Sequence, residues 1–250
     1  MNDLTISESN RPHWGVLGTT LWGIVLFGVF SIAQTVGALG AGIDTSQGTP
    51  TAQELEQMLP QLVSNGNVLI MATLLAFVVT VPLMLLVIRL KRGSSIRDYL
   101  ALHAASLRDY VKWIAIMAIA VVVLGLIGES MNEKSADAFT QGVFDSANNK
   151  VMLFLAVAVL APVFEELFFR GFLYKGLANS RLGVNGAIVL TSLLWAVIHL
   201  QYDWYPIFMI FVMGVLLGLA RHRTGSIGVP IAMHAFNNFS SLMLISLGVG

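Results

Sequence analysis

Long uncharged runs alternate with short polar segments along the whole chain. The first three runs cover residues 14–39, 68–88 and 113–128. Four more follow at residues 151–164, 187–198, 204–220 and 227–249. About 20 apolar residues in a helix cross the hydrocarbon core of a bilayer, and each run reaches or approaches that length with its flanks. The pattern predicts an all-α fold, a polytopic transmembrane helical bundle of about seven spans.

Composition supports this interpretation and excludes several other classes of protein. Hydrophobic residues make up 56% of the chain and charged residues 11%, whereas an ordinary soluble domain is about 25% charged. The chain has no cysteine, so it has no disulfide framework and no thiolate nucleophile. Its formal net charge is zero, so nothing favours binding to nucleic acid. We expect membrane lipid as a partner, and the oligomeric state is left open.

The basic residues of the loops fall almost entirely on one side of such a bundle. With seven spans and a cytoplasmic N-terminus, 12 of the 14 Lys and Arg residues lie inside, and Lys134 and Lys150 lie outside. The inside set is Arg11, Arg89, Lys91, Arg92, Arg97, Arg108, Lys112, Arg170, Lys175, Arg181, Arg221 and Arg223. Because cytoplasmic loops carry the excess of Lys and Arg, the distribution predicts an integral membrane protein with its N-terminus in the cytoplasm.

A few polar residues interrupt the apolar runs of the second part of the chain. Glu165, Glu166 and Arg170 end the fourth run, and His199 follows the fifth, while His234 and Asn238 lie inside the seventh. An ionisable group at membrane depth costs roughly 2.5–3.5 kcal/mol, so such groups pair with one another or face a wet cavity. A spacing of four residues places Glu166 beside Arg170, and His234 beside Asn238, on one helical face.

These residue types allow two chemistries at one buried site. A carboxylate next to an imidazole can deprotonate a water molecule, and a His with an Asn can donate hydrogen bonds to an oxyanion. That combination predicts hydrolysis of an amide bond inside the membrane. Two His and one Glu are also a ligand set for catalytic zinc, although the pattern of two His separated by three residues around a Glu is absent. Metal dependence therefore stays open.

A third hypothesis is a small proton-coupled transporter. In that case Glu165, Glu166 and Arg170 would form a proton relay. Against it, the sequence shows no pair of interrupted helices in matching halves, which is the pattern typical of many transporters.

Three short motifs in the second part of the chain resemble those of a known family. Residues 165–170 read EELFFR and match the EExxxR motif of the CPBP family of intramembrane proteases, which includes the type II CAAX prenyl proteases and the Abi proteins. Residues 195–199, WAVIH, resemble the FxxxH motif of that family, with Trp195 where Phe is usual. Residues 234–238, HAFNN, match its HxxxN motif.

The resemblance implies a glutamate-dependent endopeptidase of the CPBP type. By analogy, Glu165 and His199 activate a water molecule, His234 and Asn238 stabilise the oxyanion, and Glu166, Arg170 and Trp195 support the site. A glutamic protease requires no cofactor, whereas a divalent metal such as zinc would serve a metalloprotease. The resemblance divides the chain into spans one to three with their loops at residues 1–150 and a catalytic membrane core at residues 151–250.

Two further expectations follow from the family. The protein would reside in a bacterial cell membrane and cleave a membrane-associated protein or peptide, with a prenylated substrate as one option. The alternative within the same family is a non-catalytic bacteriocin-immunity or scaffold protein that binds a peptide in the same cavity.

Overall fold

The computed structural model describes residues 12–43, 50–131 and 137–248. Arg11 and Lys134, which contribute to the predicted orientation, lie outside these ranges. The described residues form ten helices and no strand. They are α1 (Val16–Gly42), α2 (Ala52–Val63), α3 (Gly66–Leu90), α4 (Ile96–Tyr99), α5 (Leu107–Ser130), α6 (Asp137–Ser146), α7 (Lys150–Ala178), α8 (Gly183–Val197), α9 (Trp204–Thr224) and α10 (Gly228–Ser246). The all-α prediction is confirmed.

Five of these helices, α1, α3, α5, α7 and α9, are long and apolar enough to cross a membrane. The protein is therefore an integral membrane protein. The fifth and seventh predicted runs form α8 and α10, which do not meet the same criterion. Helix α8 has 15 residues, so it rises about 22 Å and is shorter than the roughly 30 Å hydrocarbon core. The polypeptide therefore turns at the end of α8 before it has crossed a full bilayer thickness.

Polar residues at the ends of the helices fix where they begin and stop. Asn65 accepts hydrogen bonds from the backbone of the first turn of α3, Ser106 does so for α5, and Asn149 does so for α7. Such caps satisfy N–H groups that have no partner inside the helix. Helix α9 ends at Gly225, whose φ of 63° lies in the left-handed region that glycine adopts readily.

The connecting segments meet at two opposite ends of the bundle. At one end, the backbone N–H of Ile227, before α10, donates to the carbonyl of Ala101 at 2.9 Å, and Trp14 donates to the carbonyl of Val87 at 3.1 Å. This end carries most of the described basic residues. At the other end, Asn67 donates to the carbonyl of Ser146 at 2.9 Å. We call these the basic end and the α7-start end.

Some basic residues that were counted with the inside loops lie within the bundle. Arg170 is fully buried, and Lys175 and Arg221 are 5% and 2% exposed. All three lie within helices, Arg170 and Lys175 in α7 and Arg221 in α9, rather than in a solvated loop. The count of inside charges was therefore too simple, although the exposed charges still divide between the two ends.

Stacked phenylalanine rings join α1 to the helix that carries the two glutamates. Phe30 stacks on Phe164 with ring centroids 4.2 Å apart, and Phe27 stacks on Phe168 at 6.4 Å. Phe164 and Phe168 are also in contact, at 5.8 Å. Aromatic contacts of this kind stabilise a packed interface beyond the effect of area alone. The first part of the chain thus packs against the segment of α7 that carries the two glutamates.

Helices α1 and α3 approach so closely that one position in their interface requires glycine. A Cβ atom on Gly37 would lie 2.8 Å from the Cα of Ala72 and 2.8 Å from the carbonyl oxygen of Met71. Both atoms belong to the backbone and cannot rotate away. Gly28, on the same helix, has no atom within 4 Å of its Cβ position.

We expect Gly37→Ala to destabilise the protein and Gly28→Ala to leave it unchanged or slightly more stable. Alanine is favoured over glycine in a helix by about 1 kcal/mol, but overpacking at position 37 costs roughly 1–3 kcal/mol. Thermal unfolding of the purified protein in detergent measures both effects. Equal midpoints for the two variants would contradict the observed packing of α1 on α3.

Candidate active site

The two glutamates lie between two irregular segments of α7. Residues Ala156–Leu160 and Leu167–Leu173 form π-helical turns, and Ala161–Glu166 between them is regular α-helix. A π-helical turn shifts the backbone hydrogen bonds by one residue and occurs frequently at functional sites. Of the two carboxyl side chains, Glu166 is fully buried and Glu165 is 14% exposed.

Glu166 forms a buried ion pair with the arginine one turn later on the same helix. Arg170 Nη1 donates to Glu166 Oε1 at 3.0 Å, and neither side chain is exposed. The second terminal nitrogen, Nη2, donates to the carbonyl oxygen of Gly214 on α9 at 3.1 Å. The guanidinium carbon also lies 4.7 Å from the centroid of the Trp195 ring, close enough for a cation–π contact. The guanidinium of Arg170 thus contacts groups on its own helix, α7, and on α8 and α9.

Gly214 must be small because α9 lies close to this arginine. A Cβ atom at Gly214 would lie 3.0 Å from Arg170 Nη2 and 2.9 Å from the Cβ of Ser192. One turn later, a Cβ at Gly218 would lie 2.9 Å from the side chain of Ile188. The sequence Gly214–Gly218, a GxxxG pattern, therefore packs α9 against α8 within one chain, as small residues commonly do in membrane helices.

His234 connects the two glutamates. Its Nδ1 lies 3.0 Å from Glu166 Oε1, and its Nε2 lies 4.0 Å from Glu165 Oε2. An ionised carboxylate only accepts hydrogen bonds, so Nδ1 of His234 carries the hydrogen that is donated to Glu166. In the neutral ring, Nε2 then presents its lone pair toward Glu165.

Trp195 contacts Glu165 through its side chain and His199 through its backbone. Its indole Nε1 donates to Glu165 Oε2 at 2.5 Å. Its backbone carbonyl lies 2.8 Å from Nδ1 of His199, and a carbonyl can only accept, so Nδ1 of His199 also carries a hydrogen. The neutral ring of His199 therefore keeps a lone pair on Nε2, available as a base. His199 lies in the turn that follows α8, because that helix ends at Val197.

Asn238, on α10, donates to a backbone carbonyl of α7 that has no donor within α7. In the first π-helical segment, the N–H of Ala161 donates to the carbonyl of Ala156. The following residue, Pro162, has no N–H to donate. The carbonyl of Val157 is thereby left for a donor from another helix, and Asn238 Nδ2 donates to it at 2.9 Å. One of the two amide hydrogens of Asn238 is used in this way, and the other remains for a ligand.

The structure brings six of the seven predicted residues into one connected group. Direct contacts link Glu165, Glu166, Arg170, Trp195, His199 and His234. Asn238 lies one helical turn beyond His234 and is anchored on Val157 instead. Sequence reasoning did not identify the carbonyl groups of Val157 and Gly214 as partners. The only available signals were Pro162, which removes a helical donor, and the GxxxG pattern, which permits a close approach.

The exposure of the individual site residues indicates the end of the bundle from which the site is accessible. Every residue from 166 to 177 is buried, whereas Glu165, His199 and Asn238 are each partly exposed. The ring of Tyr202 stacks on His199 with centroids 6.4 Å apart and contacts Phe139 of α6 edge-on at 5.4 Å. The site is therefore closed toward the basic end and opens toward the α7-start end, where these aromatic rings border it.

The part of the chain that contains this site matches a known protein family. Residues 147–240 match the family model of the type II CAAX prenyl endopeptidases, Rce1-like. This segment is similar to the Rce1-like family. It contains every residue of the three motifs that resemble those of the CPBP proteases, so that resemblance is confirmed. No solved structure is significantly similar to the chain.

Curated relatives of the chain come from two bacteria. An uncharacterized 24.3 kDa protein of Escherichia coli is 30% identical over 130 residues, which cover 50% of this chain and 59% of that protein. The UPF0177 protein YajF of Lactococcus lactis is 33% identical over 91 residues, which cover 35% of this chain and 42% of that protein. The UPF0177 protein YbdI, also of Lactococcus lactis, is 25% identical over 139 residues, covering 52% and 74%. The first two alignments thus span about half of each relative.

The donor groups of this Rce1-like segment do not form a ligand set for a metal ion. In the ranges that the structure describes, no three His, Asp or Glu side chains are grouped so that they could hold one. Glu166 Oε1 already accepts from Arg170 and His234, and Glu165 Oε2 accepts from Trp195. These two carboxylate oxygens are therefore already engaged by donors of the protein.

We expect Arg170→Met to destabilise the protein strongly and the double variant Glu166→Gln/Arg170→Met to recover part of the loss. The single change leaves a buried carboxylate without its cation, which costs about 3–5 kcal/mol. The double change removes both charges and keeps a side-chain oxygen that can accept from His234. Thermal unfolding in detergent measures the difference, and a double variant no more stable than the single one would contradict the ion pair.

Proposed function

We propose that this protein is an intramembrane endopeptidase that hydrolyses a peptide bond of a membrane-associated protein or peptide. The observation that carries the proposal is the position of Glu165 Oε2, 4.0 Å from Nε2 of His234. That distance is too long for a direct hydrogen bond and allows one bound water molecule to contact both atoms. The match of residues 147–240 to the Rce1-like family model supports proteolysis as the activity.

Glu165 is the general base of the proposed reaction. Its carboxylate accepts a proton from the water molecule, with Nε2 of His199 as a second acceptor that orients the water. The water oxygen forms a bond to the carbonyl carbon of the peptide, and the electron pair of the C=O double bond moves to the oxygen. A partly exposed carboxylate suits this role, because water and substrate must both reach it.

His234 and Asn238 stabilise the oxyanion in this proposal. In the proposed reaction His234 takes up a second proton from solvent before the substrate binds and keeps it through the cycle, so that Nδ1 donates to Glu166 and Nε2 donates to the oxyanion. The carboxylate of Glu166 stabilises that charged ring because an opposite charge lies in direct contact with it. Asn238 contributes its second amide hydrogen, since the first is bonded to Val157. Donors fixed in advance are the most effective form of such stabilisation.

Collapse of the tetrahedral intermediate completes the reaction. The oxyanion re-forms the C=O double bond, the C–N bond breaks, and Glu165 returns its proton to the leaving amine. The products are an amine and a carboxylic acid, which ionises by releasing its proton to water, and the enzyme is regenerated without any cofactor.

We also propose the sidedness of the protein. The basic end lies in the cytoplasm, because it carries most of the exposed Lys and Arg residues, and the relatives in Escherichia coli and Lactococcus lactis support a bacterial cell membrane. The substrate then reaches the site from the α7-start end, on the opposite side. A prenylated protein is one substrate class that the family suggests.

Cleavage by purified protein in liposomes tests the proposed activity. We expect the parent to cleave a membrane-anchored peptide, and Glu165→Gln and His199→Gln each to lower the rate on the order of 100-fold or more. His103→Gln is the matched control, because His103 lies at the surface, 3.5 Å from Asp98, and outside the site. Parallel reactions with farnesylated and unmodified peptides show whether a prenyl group is needed. Cleavage by Glu165→Gln at the parental rate would refute the proposal.

Single cysteines test the direction of access, because the chain has no cysteine of its own. Gln201 is exposed in the turn after α8, and Arg181 is exposed at the opposite end of that helix. We expect a bulky, membrane-impermeant thiol reagent to block cleavage by Gln201→Cys and to leave Arg181→Cys active. We also expect the two positions to be labelled from opposite sides of the membrane. The reverse pattern of inhibition would contradict access from the α7-start end.

A further inference from the structure

Trp195 contacts several other residues of the site, which its position in the motif would not indicate. Its ring is 2% exposed, and its indole nitrogen donates to Glu165 Oε2 at 2.5 Å. The same ring lies edge-on to both imidazoles, with centroids 5.4 Å from His199 and 5.1 Å from His234. Its backbone carbonyl accepts from His199 Nδ1. One residue thus contacts the carboxylate and both histidines.

The face and the edge of the indole meet groups of opposite charge. The guanidinium of Arg170 lies 4.7 Å from the ring centroid, where the π electrons attract a cation. The edge of the ring carries the N–H group, which points at the carboxylate of Glu165. A cation on the face draws electron density from the ring and strengthens the N–H as a donor. Trp195 therefore links the buried Arg170–Glu166 pair to the exposed glutamate.

A phenylalanine at this position, as in the usual form of the motif, would keep the ring and lose the donor. The indole N–H is the only hydrogen bond to the Glu165 carboxylate found among the described residues. Without it, the carboxylate could rotate about its last side-chain bond, and either oxygen could face the water. The hydrogen bond is therefore a feature of this chain rather than of the motif in general.

We propose that Trp195 is a positioning residue, whose indole N–H holds Oε2 of Glu165 and so fixes the carboxylate in the orientation from which it takes the proton from water. This inference rests on the proposed function in so far as it concerns catalysis. The bond between the indole and the carboxylate can be tested without any activity, so the two proposals can fail separately.

The first test is spectroscopic and uses protein labelled with ¹⁵N at the indole nitrogens in detergent. The chain has five Trp residues, and Trp195→Phe identifies the signal of Trp195. A strong hydrogen bond to a carboxylate shifts the N–H proton downfield. We expect Glu165→Ala to move the Trp195 signal upfield and to leave the signal of the exposed Trp204 in place. An unchanged Trp195 signal would overturn the inference, whether or not the protein is a protease.

The second test is kinetic and uses the liposome assay. We expect Trp195→Phe to lower kcat about tenfold, as loss of a hydrogen bond to a charged group predicts, with KM and the unfolding temperature close to the parental values. Benzothienylalanine at position 195, in which sulfur replaces only the N–H, gives the same loss if the donor is responsible. Trp204→Phe is the control, since Trp204 is 60% exposed. Parental kcat in Trp195→Phe would overturn the positioning role, as would a loss confined to KM or to stability.

Discussion

The structure of the site depends on one buried charge, the carboxylate of Glu166. A single oxygen of this group accepts hydrogen bonds from Arg170 and from His234, at 3.0 Å each. Removing an ion from water costs several kcal/mol even in a protein interior, so both partners are needed to hold a charge at this depth. Glu166 belongs to α7 and His234 to α10. The hydrogen bond between them therefore also fixes how these two helices pack against each other.

The other features of the site follow from the need to surround this charge. Arg170 reaches a carbonyl on α9 only because Gly214 has no side chain, and its flat face rests on Trp195 of α8. The π-helical turn and Pro162 leave the Val157 carbonyl for Asn238. Each irregularity of an otherwise regular helical bundle thus supplies a partner for a polar group. Such irregular backbone is tolerated at membrane depth where protein groups satisfy it.

The sequence predicted the helices better than it predicted how the site residues are connected. Uncharged runs indicate membrane helices reliably, because every backbone group in lipid must be bonded internally. Spacing of four residues also placed Glu166 beside Arg170. It could not show that α8 ends at Val197 and leaves His199 in a turn, since no Gly or Pro directly follows Val197 to mark the end of the helix. Nor could it show that Trp195 contacts Glu165, because that contact depends on how α7 and α8 pack.

Sequence patterns also could not distinguish a metal site from a water-activating site, because both use the same residue types. The structure shows which atoms of these groups already have partners. Oε1 of Glu166 accepts from Arg170, Oε2 of Glu165 accepts from Trp195, and Nδ1 of His199 donates to the backbone carbonyl of Trp195. These contacts depend on how the helices pack, which the residue types alone do not determine.

The protonation of His234 tests this account most directly. Solid-state NMR of protein labelled with ¹⁵N at histidine, in bilayers near neutral pH, distinguishes a protonated ring nitrogen from an unprotonated one, and His234→Gln identifies the signals among the five histidines. The account predicts hydrogen on Nδ1 of His234, bonded to Glu166, and a change of that signal in Glu166→Gln. A neutral ring with its hydrogen on Nε2, unaffected by Glu166→Gln, would contradict it.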